Sequence, residues 1–143
     1  MDIQGDTQPR IDTLVTDAAS GEQRRRTEYM GTVWIDGRAE AAGIMLRRVG
    51  APGVSTARKD AAFYIPDSLP YRREALDGAQ LSVTATMQAS GEQGAVLQAS
   101  AGFVDDPSGA PSWVHLELLV FSNWPCAIAY RIVALSAPDA IAG

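Results

Sequence analysis

Residues 81–88 read LSVTATMQ, with Leu81, Val83, Ala85 and Met87 at one parity and Ser82, Thr84, Thr86 and Gln88 at the other. Side chains alternate between the two faces of a strand, so this pattern marks a half-buried strand and not a helix of period 3.6. The pattern recurs. Leu97, Ala99, Ala101 and Phe103 oppose Gln98, Ser100 and Gly102. Val114, Leu116, Leu118 and Val120 oppose Trp113, His115, Glu117, Leu119 and Phe121. Ile128, Tyr130 and Ile132 oppose Ala129, Arg131, Val133 and Leu135. Shorter stretches of strand character lie at 11–16, 29–36, 43–49 and 61–65. Turn-forming runs separate them: SGEQ, DGR, GAPG, PDSLP, LDG, DDPSGAP and SNWP. About eight short strands with tight turns predict an all-β fold, either an antiparallel sandwich or a small closed barrel.

The last two strands are apolar at both parities over part of their length. A strand between a core and water should not be, so a second face must be covered within the fold or by another subunit. The expected organisation is a single β domain over 1–143, with 66–80 as a connector holding one helical turn and short tails at 1–10 and 137–143. The pentapeptide ASGEQ occurs at 19–23 and again at 89–93. That offset aligns 11–65 with 81–135 as two similar four-stranded halves. Two unrelated hairpin turns explain it more simply, with Gly21 and Gly91 supplying the positive φ in each.

Charge narrows the partners. Twelve basic residues against 17 acidic ones give a net charge of −5 and a pI near 4.7. Nucleic-acid binding rests on phosphate neutralisation, so no nucleic-acid partner is expected. All but Lys59 of the basic residues are arginine, scattered along the chain. The densest run, Arg24-Arg25-Arg26, is flanked by Glu22 and Glu28 and reads as a solvated edge strand. The single cysteine, Cys126, excludes a disulfide framework and reads as a buried thiol. The opening residues have no basic and apolar leader pattern, and no apolar run is long enough for a membrane-spanning helix. A soluble protein of the cytoplasm, or of a particle assembled there, is expected.

Catalytic constellations are sparse. His115 is the only histidine, so any Ser-His-Asp or Cys-His arrangement must use it. Glu117 shares its strand face, which makes the two the weak catalytic candidates. A polar pair facing solvent or an interface is the simpler reading. Zinc needs three or four ligands and calcium six or more oxygens. Asp105-Asp106 before a proline reads as a turn, so neither a metal nor a cofactor is expected. The chain has no P-loop, GxGxxG, HExxH, CxxC or GxSxG motif.

Three functions fit these residues. The first is a non-catalytic β-domain acting in assembly or binding through an apolar face, as a homo-oligomer of structural or virion type. The second is a small barrel whose apolar pocket binds a hydrophobic molecule, lined by Met45, Met87, Phe103, Trp113 and Tyr130. Such a pocket could serve a cyclase or isomerase by holding its substrate in a reactive shape. The third is a carbohydrate-binding sandwich using Trp34, Trp113 or Trp124 as stacking platforms. The first is preferred, and the residues weigh against an enzyme.

Overall fold

The computed structural model describes residues 2–7, 9–36, 44–48, 62–63, 69–88, 94–105, 111–122 and 126–142. Nine strands are present among them. They are β1 (Asp2–Thr7), β2 (Ile11–Thr16), β3 (Gln23–Asp36), β4 (Ile44–Arg48), β5 (Ala62–Phe63), β6 (Gln80–Gln88), β7 (Gly94–Asp105), β8 (Ser112–Ser122) and β9 (Cys126–Ser136). One sheet has the order β1-β3-β9-β6, with β2 also paired to β3. The other has the order β5-β4-β8-β7. All pairings are antiparallel except the two-residue β4–β5 contact. The arrangement is sandwich-like, and neither sheet closes into a barrel.

Alternation explains which side chains fill the space between the sheets. On β9, Ile128, Tyr130, Ile132 and Ala134 are buried. Their register partners on β3 are Val33, Gly31, Tyr29 and Thr27, and on β6 Met87, Ala85, Val83 and Leu81. From the opposite sheet Val114, Leu116 and Leu118 of β8 are fully buried, with Phe103, Ala101 and Ala99 of β7 beside them. The bulge between Val96 and Gln98 sets the register of β7 and makes Leu97 its extra residue.

Four sequence expectations change. Residues 2–7, expected as a tail, form β1. Their sequence has little alternation, but β3 is 14 residues long and β2 covers only Gln23–Glu28 of its edge. β1 supplies ladder partners for Gly31–Asp36. The register shifts by one residue between the two pairings, from Thr7 opposite Gly31 to Ile11 opposite Glu28. Pro9 lacks an N–H and is tolerated at such an edge irregularity.

In the Arg24-Arg25-Arg26 run, Arg25 and Arg26 lie on an interior stretch of β3 between β2 and β9 and not on an edge, while Arg24 is paired to β2. The final residues are also no loose tail. Ala140 is fully buried, Arg72 N donates to Ala140 O at 2.6 Å and Ala142 N to Pro70 O at 2.7 Å. The closed-barrel alternative falls away with the two separate sheets.

The expected helical turn in the connector is the single 3-10 turn Arg73–Ala75. The first ASGEQ copy is a hairpin turn between β2 and β3. Gly21 N donates to Asp17 O and Asp17 N to Glu22 O, both at 2.8 Å, and Gly21 has φ 73°. The second copy, with Gly91, lies outside the described residues. The strands before and after it, β6 and β7, belong to different sheets.

Candidate functional site

β8 is an interior strand, between β4 and β7. Its inward row is Ser112, Val114, Leu116 and Leu118, all buried. Trp113, His115 and Glu117 alternate with these and point away from the other sheet, each half-buried. On β7, Gly102 stands opposite His115 and Ser100 opposite Glu117. A Cβ placed on Gly102 would meet His115 Cε1 at 3.1 Å, so the imidazole lies across the glycine. His115 Nε2 is 3.7 Å from Glu117 Oε1. That exceeds hydrogen-bond length and makes an ion pair only when the imidazole is protonated. On β4, Arg47 takes the register position opposite Glu117 and Met45 that opposite Leu119. The outward row thus carries one aromatic, one titratable base and one carboxylate.

The other expected ligand-binding residues are not gathered there. Met87, Phe103 and Tyr130 face the interior and pack in or against the core. They are separated from Trp113 by the thickness of the sheet. The side chains of Met45 and Trp34 and the whole of Trp124 lie outside the described residues. Trp34 pairs in register with Gln4 and Ala127. Cys126 opens β9 opposite Ile35. Among the described residues no three His, Cys, Asp or Glu side chains converge to hold a metal ion. None of the described helices is long and apolar enough to cross a membrane.

A buried polar chain escaped the sequence reading. Tyr29 and Tyr71 share a hydrogen bond between their hydroxyls at 2.8 Å, and Leu69 N donates to Tyr29 Oη at 3.2 Å. Thr27 bonds the Tyr71 hydroxyl and donates to Asp12 Oδ1 at 3.0 Å. Asp12 also pairs with Arg25, whose Nε and Nη2 reach Pro138 O at 3.3 and 3.2 Å. Burial first, and then the neighbouring phenol, raises the Tyr29 hydroxyl far above its usual range. Burial is also the main cause of the rise at Tyr71. Both phenols stay neutral at ordinary pH, so they hold structure and do not act as bases. The residues lie 42 positions apart in sequence, and no spacing rule joins them.

On the outward face of the first sheet, Glu28 is buried between Arg131 and Arg26. The Arg131 hydrogen bond is the main cause holding its carboxyl below the ordinary value of 4.5. A carboxylate whose folded pKa is depressed adds stability above the unfolded pKa. That contribution is lost as pH falls through the folded value. Glu28→Gln should therefore cost about 1 kcal/mol at pH 7, and the gap to wild type should narrow below about pH 4. Urea titrations from pH 7 to pH 3 test this; a gap independent of pH would contradict it.

Two open depressions are lined by described residues. One of about 460 Å³ lies at the hairpin end, between Glu22, Arg24, Asp77 and Pro138. A shallower groove of about 310 Å³ crosses the outward face over Ala129, with Met30 and Thr32 on one side and Thr84 and Thr86 on the other. Both are polar in part; Tyr130 borders the groove, and Met87 and Phe103 line neither. Comparison of the chain with family models, with curated proteins and with solved structures returns no significant match.

Proposed function

We propose that this β-domain is a non-catalytic assembly or binding module that works through its outward faces as a homo-oligomer. The observation that carries the reading is Trp113, on the outward row of an interior strand beside His115 and Glu117. Trp113 is half-buried on that row, and an aromatic ring with a polar tip on an outward face suits a contact surface. Aromatic groups with a polar neighbour are also the commonest anchors of protein interfaces. The outward face of β9 supports a mixed contact surface and not a wholly apolar one. There Ala129, Val133 and Leu135 alternate with register partners Thr32, Glu28 and Arg26 on β3.

The test is the mass in solution. Light scattering or sedimentation should show a defined oligomer, and Trp113→Ala should weaken its association by about tenfold or more. The far-ultraviolet circular dichroism should not change, since the side chain lies outside the core. A chain that stays monomeric at high concentration sinks the assembly reading.

A further inference from the structure

Among the described residues β6 lies at an edge: β9 takes one side of it, and β7, next in the chain, packs close beside it from the other sheet without forming a ladder. Natural edges are blunted by charge, proline, bulges or shortness. The opposite edge of the same sheet shows three of these devices. β1 and β2 carry Asp2, Asp6 and Asp12, are interrupted at Pro9, and shift register by one residue there. β6 shows none. Its nine residues, QLSVTATMQ, contain no charge and no proline, and its pairing to β9 runs without a shift from Gln80 to Gln88.

The strand is also palindromic in chemistry about Thr84. Gln80 answers Gln88, and Ser82 answers Thr86. Leu81 answers Met87, and Val83 answers Ala85. The first set is exposed and the second half-buried. In an antiparallel pair related by a two-fold axis, residue i of one copy meets residue j of the other and j meets i. Centred on Thr84, such a pair sets hydroxyl and amide against hydroxyl and amide on the outward face. It sets apolar against apolar on the inward face. Hydroxyl pairs and apolar pairs opposite one another are favourable cross-strand contacts, and like charges are not. In a chain of net charge −5, this uncharged edge is where a second copy meets no acidic row of its own kind.

We propose that β6 pairs antiparallel with β6 of a second copy of this chain, with the two-fold axis at Thr84, joining two sheets into one continuous sheet. The occupant is the chain itself because the edge is its own complement. The grooves over Ala129, walled by Thr84 and Thr86, would then lie on either side of the axis. The proposal rests on the reading of the domain as a self-assembling module, and it names the joint.

Charge exchange tests it. Across the axis Ser82 meets Thr86 of the second copy. Ser82→Lys with Thr86→Lys should weaken self-association by about 100-fold, as should Ser82→Glu with Thr86→Glu. An equimolar mixture of the two variants should restore a dimer of mixed composition. Wild-type amide exchange supplies a measurement independent of folding in the variants. Alternate amides within 80–88 should become protected as concentration rises. An oligomer that ignores both variants and shows no such protection overturns the β6 joint and leaves the assembly reading standing. A monomer at every concentration removes both.

Discussion

Tyr71→Ala should destabilise the domain by about 3–5 kcal/mol, the range for removing a fully buried aromatic side chain. Tyr71 has no exposed surface and joins parts of the fold that are distant in sequence. Its backbone exchanges two 2.8 Å hydrogen bonds with Ser112 at the start of β8. Its ring meets Phe103 of β7 edge-on, with centroids 5.0 Å apart and planes at 66°. Its hydroxyl bonds Tyr29 of β3, in the other sheet. The residue therefore ties both sheets to the segment that crosses their end. Tyr71→Phe keeps the ring and strands the Tyr29 hydroxyl without this partner, which should cost about 1–2 kcal/mol. Urea denaturation of the three proteins reads the series directly. Equal small losses for Phe and Ala would mean that the ring does not hold the sheets together. For a domain with about 5–15 kcal/mol of total stability, the alanine variant would sit near the edge of folding.

Ile132→Ala should cost about 2–5 kcal/mol and Ile132→Val about 0.5–1.5 kcal/mol. Ile132 is completely buried at the centre of the inward row, between Tyr29 on β3 and Val83 on β6. Strands pair on both of its sides, so the backbone has little freedom to close the void. Its neighbour Val133 provides the control. It faces outward and is half-buried, so Val133→Ala should cost about 1 kcal/mol or less. Thermal or urea unfolding of both alanine variants distinguishes the faces. A Val133 variant as damaged as the Ile132 variant would mean that β9 presents the opposite face to the core.

The strands of strongest alternation were legible because a period of two in the residues is the period of the strand itself. β6, β8 and β9 follow their apolar rows wherever the side chains are described. β1 was not legible, since it is a strand by virtue of the unfilled edge of β3, a demand that arises elsewhere in the chain. The arginine run misled for a related reason. Three adjacent arginines look like a solvated edge, but Arg25 is held by Asp12 and by a carbonyl of the C-terminal segment. Those partners are supplied by the fold. The site candidates divided along the same line. His115 and Glu117 stand on one face, as their spacing requires. Met87, Phe103 and Tyr130 went to the interior, because the two sheets enclose them, while Trp113 stayed outside.

The order of neighbouring residues alone dictated an all-β fold, the inward rows of its main strands and the hairpin at Gly21, though not the length of β3, β7, β8 and β9. Each depends on the conformational preference of a few neighbouring residues. Tertiary structure alone decided which strands share a sheet, that β6 lies at an edge, and that Tyr29 and Tyr71 close one end. Strand pairing is made by backbone groups common to every residue, so the choice of partner is written in the packing of the whole chain and not in any one strand.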